Sequence, residues 1–149
     1  MYLDKNNNCK KNIKNVSLIL FVGKMSEHVM ILKKSGTNLW MFPGGGVEKG
    51  EGIIEALQRE SREELKQMLI NVEHFYTTDF FQQSAYNKKD QLISIYYKAK
   101  LSFPEKLIHE NHPIDDRPVF YWKKIDELTK DELSFPIDKH VLDILKSNK

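Results

Sequence analysis

A single cysteine, Cys9, stands in 149 residues. Without a second sulfur no intrachain disulfide can form, and a cysteine-based zinc site has little basis, so a reducing, cytoplasmic setting fits best. Long apolar runs are missing as well. The longest, residues 16–22, contains Ser17 and falls far short of the roughly 18 to 20 residues that span a bilayer, which excludes membrane insertion and leaves one buried strand. Nor does one sign of charge dominate: 23 Lys and Arg against 21 Asp and Glu give a net charge of +2. That balance argues against a protein that coats nucleic acid and names no partner. The first 15 residues are polar and rich in Asn and Lys, the apolar stretch behind them is short, and no small-residue cleavage site follows. They read as a leader over 1–12 ahead of a single domain over 13–149. No internal repeat or linker interrupts that domain, and a hydrophobic content of 40% provides for one core.

What is present is a mixture of strand and helix signals. Residues 13–23 and 28–34 are β-branched or apolar runs around a short polar turn, which predicts an antiparallel pair. Gly36-Thr37-Asn38 ends the second run. The Pro43-Gly44-Gly45-Gly46 stretch predicts a loop, because Pro fixes φ and the glycines admit close backbone approach. Residues 52–65 are rich in Glu, Leu, Ala, Gln and Arg without Pro, the composition of a helix. Residues 74–82 and 92–101 predict two further strands around a polar connection, 103–117 a surface loop, and 119–123 another strand. A helical turn is expected at 125–128, and Ile137, Val141, Leu142 and Leu145 carry the spacing of an amphipathic helix. Without strict β–α–β alternation, the pattern predicts a mixed sheet covered by helices.

Six of the twelve glutamates fall between Glu48 and Glu64. At about 100° per residue, Ile53, Ala56, Leu57, Ser61 and Met68 share one stripe that should face the core. Glu60 and Glu64 lie within about 20° of its centre on the same wheel, with Glu63 at their flank. Buried carboxylates crowded at i, i+3 and i+4 are costly unless something positive compensates. An exposed acidic face with lysine partners would be the ordinary explanation, but the wheel argues against it. An oxygen-rich cluster suits a hard divalent cation that keeps waters and bridges to phosphates. The glycine loop ahead of the helix would supply backbone groups beside a pyrophosphate.

At these residues the chain resembles the Nudix hydrolases, the MutT-like pyrophosphohydrolases. Their box has the form G-x5-E-x7-R-E-U-x-E-E-x-G-U, where U is a bulky aliphatic. Gly45, Glu51, Arg59-Glu60 and Glu63-Glu64 match it, and Phe42-Pro43-Gly44 is typical of the approach. Ser61 and Gln67 stand where aliphatics are usual, and Lys66 replaces the closing glycine, so the helix is expected to run on or end differently, near Asn71. The resemblance implies an α/β/α sandwich in which Glu60, Glu63 and Glu64 bind metal, joined by the Gly45 carbonyl. It implies that Glu63 and Glu64 serve catalysis and that Arg59 and Glu51 orient the cluster, a task a planar guanidinium suits. A further acid ahead of a Trp is common in the family; with Trp122 as that residue, Asp116 or Asp115 would complete the metal site or act as base, with Glu110 less well placed.

The implied reaction is attack of water on a diphosphate bridge in a nucleoside diphosphate linked to another group, with Mg2+ or Mn2+ as cofactor. Base recognition calls for an aromatic platform or an amide, and Trp40, Phe80, Phe81, Tyr96 and Tyr97 are available, although aromatics on strands are more often core. In a regular strand Phe80 and Phe81 would face opposite ways. Subclass markers are missing, with Gln82-Gln83 where hydrolases of ADP-ribose tend to carry Pro. A nucleoside triphosphate, intact or oxidised, is therefore the default substrate, and ADP-ribose or another nucleotide sugar remains open. The expected partner is a small molecule, not a nucleic-acid duplex or a membrane, and the chain is expected to be a monomer or homodimer. The alternative is a catalytically silent Nudix-like module that binds nucleotide or protein.

Overall fold

The computed structural model describes residues 27–84, 88–89, 91–106 and 118–148, together with the backbone of 14–22. The expected leader with Cys9, and Glu110, Asp115 and Asp116 in the expected loop, lie outside the described residues. Among the described residues seven strands form one sheet: β1 (Lys14–Val22), β2 (His28–Lys33), β3 (Trp40–Met41), β4 (Gly44–Gly46), β5 (Leu69–Thr77), β6 (Ile93–Leu101) and β7 (Val119–Lys124). Two helices flank it, α1 (Ile53–Glu60) and α2 (Pro136–Ser147). The main order is β3-β2-β1-β6-β5, with β4 added to β1 and β7 to β2. β1 runs parallel to β6, and the other pairs are antiparallel. The predicted mixed sheet is therefore present.

Side-chain alternation along β2 shows why the sheet is covered on both faces. Met30 and Leu32 join Leu57, Leu65, Ala99 and Phe120 on the α1 side. Val29 and Ile31 point the other way, to Leu128, Val141, Leu142 and Leu145 on the α2 side. Period two thus splits one strand between two cores. Each fully buried Leu in these layers contributes about 1.5–3 kcal/mol. The amphipathic spacing at 137, 141, 142 and 145 is realised, and all four residues are buried in α2.

Three expectations need correction. Residues 44–46 are not an irregular loop; they are β4, paired antiparallel with β1 at Asn15↔Gly46, Val16↔Gly45 and Ser17↔Gly44. None of these glycines takes a positive φ, so an extended ladder accommodates them. The strand predicted at 74–82 is β5, which starts at Leu69 and stops at Thr77. Finally, the helix does not run toward Asn71. After Glu60 it widens into a π-turn over Ser61–Leu65 and stops at Lys66, which takes the left-handed conformation (φ 59) that the closing glycine would adopt. Met68 consequently lies beyond the helix and is 44% exposed, off the buried stripe. Asn71 is itself left-handed (φ 53), beside a register shift between β5 and β6.

Candidate active site

The acidic helix is organised by one guanidinium. Arg59, in the last turn of α1, donates from Nε and Nη2 to Glu51, at 2.9 and 2.7 Å. Its Nη1 reaches Glu60 at 3.0 Å and Glu63 at 3.3 Å, and Nη2 also bonds the Gly46 carbonyl at 2.9 Å. Glu48 stands 3.7 Å away. The turn before α1 brings these acids round: Gly50 takes a positive φ of 84, and Glu51 accepts from the Glu48 N–H at 2.9 Å. Among the described residues the positive charge facing Glu51, Glu60 and Glu63 therefore comes from Arg59, not from lysines, and the expectation of buried acids is corrected: Glu60 is half-buried, while Glu63 and Glu64 are exposed.

Compensation is uneven. The Arg59 hydrogen bonds hold the Glu51 carboxyl down at about 2. Burial pushes Glu60 up despite the same guanidinium. Glu64 retains solvent access as a residue, yet protein crowds its carboxyl. That desolvation, followed by the negative charges of Glu60 and Glu63, raises it to about 7. Among the described residues no cation pairs with Glu64.

Gly45 sits directly beneath Glu60: a Cβ at position 45 would lie 2.2 Å from Glu60 Oε1. Only a glycine lets β4 and the Glu60 carboxyl approach so closely. The structure thus brings Gly45, Glu51, Arg59, Glu60 and Glu63 into one contact network, with Glu64 beside it. Among the described residues, no three His, Cys, Asp or Glu side chains converge as a metal cage. Two of the three box acids are turned to Arg59 instead. The donor chemistry, all oxygen with uncompensated negative charge at Glu64, nonetheless fits a hard divalent cation.

The three departures from the box have local explanations. Ser61 is buried and donates to the Gln67 carbonyl at 2.7 Å. The Gln67 amide pairs with Phe103 in both directions, at 3.1 and 2.8 Å, tying the helix end to the segment after β6. Lys66 Nζ donates to the Glu63 carbonyl at 2.7 Å.

β4 continues this acidic site into a cleft of about 670 Å3, whose lining includes Gly45, Phe80, Phe81, Gln82, Tyr96 and Asp138. Phe80 and Phe81 lie beyond the end of β5, so strand alternation does not separate them and both line the same space. Tyr96 is 1% exposed, too buried to serve as an open platform. Trp40 packs at a tilt against Tyr121, with ring centres 5.2 Å apart, and lines a different recess. Tyr97 packs against the α1-side core.

Sequence reasoning missed Asp138. It is 4% exposed on α2 and accepts from the Tyr96 hydroxyl at 2.5 Å and from the Phe42 N–H at 3.3 Å. Burial raises it to about 6 against the lowering effect of both bonds. An acid one residue from buried Ile137 was the available signal.

A mixed sheet between helices, with an arginine-ordered acidic helix opening on an aromatic cleft, is the architecture of an α/β/α hydrolase. The chain belongs to the Nudix hydrolase family: the NUDIX domain model matches residues 11–143. It is 32% identical over 113 residues to the 8-oxo-dGTP diphosphatase of Buchnera aphidicola, spanning 74% of this chain and 80% of that one. Nucleoside triphosphatase NudI of Escherichia coli shares 31% over 99 residues, 64% of this chain and 68% of its own. A NUDIX hydrolase from Nitrosomonas europaea superposes with a TM-score of 0.69 at 16% identity, over 93% and 91% of the two chains. The MutT protein of Bacillus halodurans gives 0.65 at 20% identity, over 88% and 80%. At those identities the solved structures speak for the fold. Among the described residues no helix is long and apolar enough to cross a membrane.

Proposed function

We propose that residues 13–149 act as one domain that hydrolyses the diphosphate bridge of a nucleoside triphosphate, with oxidised purine nucleotides as the preferred class. The observation that carries this reading is the continuity of Glu60, Gly45 and the aromatic cleft: phosphates would lie at the acidic end and the base among Phe80, Phe81 and Asp138. The names of the relatives support the nucleotide class.

Glu60, Glu63 and Glu64, with the Gly45 carbonyl, would hold Mg2+ or Mn2+, and Asp116 is the candidate to join them from outside the described residues. The chemistry such a cation supplies is charge neutralisation on the phosphates and a lowered pKa for the attacking water. Arg59 and Glu51 orient the carboxylates, since their mutual bonds fix the helix against the turn before it. A water oxygen bonds to one phosphorus, the bond from that phosphorus to the bridging oxygen breaks, and a carboxylate takes the proton. Glu64, with which no cation pairs among the described residues, and Asp115 or Asp116 are the candidates for that carboxylate.

The test is a panel of ordinary and oxidised nucleoside triphosphates, ADP-ribose and a nucleotide sugar, each assayed with and without divalent cation. The expected result is cation-dependent release of nucleoside monophosphate and pyrophosphate, fastest from an oxidised purine nucleotide. Nucleotide binding without turnover of any member would establish the silent binding module instead.

A further inference from the structure

Gln82 Oε1 is buried and accepts no hydrogen bond, the one such side-chain atom among the described residues. Buried acceptors are nearly always paired, and an orphan in a low-dielectric wall is costly to keep. This one belongs to a residue that lines the cleft. The segment that carries it is not slack. Thr78 Oγ1 both donates to the Ser94 carbonyl and accepts from the Ser94 N–H, at 3.0 and 3.1 Å. The Gln82 carbonyl accepts from the Leu92 N–H at 2.9 Å. Gln83 has a separate task, since its amide donates to the Lys88 carbonyl at 2.7 Å. Phe80, on the same segment, is braced edge-on by His140, with ring centres 5.3 Å apart.

We propose that Gln82 is a specificity-determining residue whose carboxamide oxygen accepts a hydrogen bond from an N–H on the edge of the bound base. The inference rests on the nucleotide reading above and deepens it. Asp138, in the same cleft, is a second acceptor whose oxygens already take the Tyr96 and Phe42 donors. Two acceptors in one cleft match the adjacent N1–H and N2–H2 donors of guanine, whereas adenine offers a single amine beside a bare ring nitrogen that only the Gln82 amide donor would meet.

The experiment compares Gln82→Leu and Gln82→Glu with the wild-type chain, using calorimetric binding of dGMP and dAMP, steady-state kinetics on dGTP, and metal-free thermal unfolding. Gln82→Leu should weaken dGMP binding and raise the KM for dGTP about tenfold, as loss of one paired hydrogen bond implies. Its kcat and its dAMP affinity should stay within about twofold. Gln82→Glu keeps the acceptor and should stay closer to wild type on dGMP. Because the orphan is gone, the thermal midpoint of Gln82→Leu should equal or exceed that of wild type, a direction that a purely structural role would reverse. Unchanged dGMP affinity and KM, equal losses for both nucleotides, or a lowered midpoint would overturn the inference while leaving the hydrolase reading intact. A wild-type chain that neither binds nor turns over any nucleotide would overturn both.

Discussion

Within one loop and helix, Glu51 and Glu64 meet opposite surroundings. Glu51 is gripped by Arg59 at 2.7 Å and its carboxyl is held at about 2. Glu64, past the end of α1, has only burial and the charges of Glu60 and Glu63 acting on it, and rises to about 7. Both belong to the same acidic run, so composition does not separate them. The difference lies in geometry: Arg59 faces back toward the turn at Glu48 and Glu51 and reaches Glu63 in the π-turn, while no cation among the described residues pairs with Glu64. A compensated acid serves as scaffold. An uncompensated acid is left to take up a cation or a proton.

The largest way to break this contrast is Gly45→Ala. The new methyl would occupy the space of the Glu60 carboxyl, which is the far end of a flexible side chain and can swing away. Folding should therefore survive while turnover falls by roughly 100-fold, the scale of losing a positioned group at a catalytic site. Kinetics alongside a denaturation curve would check both halves.

A smaller effect appears in the pH dependence of metal-free stability. For Glu51 the folded pKa lies below 4.5, so its contribution is present above that value and is lost as pH falls toward about 2. For Glu64 the folded pKa lies above 4.5, so its contribution is present below that value and is lost as pH rises through about 7. Thermal midpoints should thus be flattened on the acid limb by Glu51→Gln and on the neutral limb by Glu64→Gln. A single limb altered by both substitutions would mean that the two acids are not independent.

The smallest effect belongs to Lys66→Gly. Relief of the left-handed backbone should stabilise by up to about 1 kcal/mol, offset in part by loss of an exposed bond to the Glu63 carbonyl. Turnover should stay within about twofold, since Lys66 shapes the end of the turn and not the acids.

How far the sequence reveals the site follows the same division. Gly45, Glu51, Arg59, Glu60, Glu63 and Glu64 sit at fixed spacings on one helix and its approach, so periodicity and motif reach them directly. The aromatic end is assembled from Phe42, Tyr96 and Asp138, and from Phe80 to Gln82 just past the end of β5. Those contacts span distant parts of the chain, and no local period encodes them. Lys66 misled the helix boundary because a lysine seldom takes the conformation it adopts here. Asp138 lies on the buried side of α2, and the apolar spacing of that helix gives no sign of which polar residue shares that side.

The central claim is that Glu64 is left uncompensated for chemistry, and one variant measured two ways tests it most directly. Glu64→Gln, assayed on dGTP with Mg2+ and unfolded without metal at neutral pH, should lose roughly 100- to 1,000-fold in turnover. Its thermal midpoint should hold or rise, because a repelled charge has been removed. Retained turnover, or a lost midpoint accompanying lost activity, would contradict the account and make Glu64 a structural acid like Glu51.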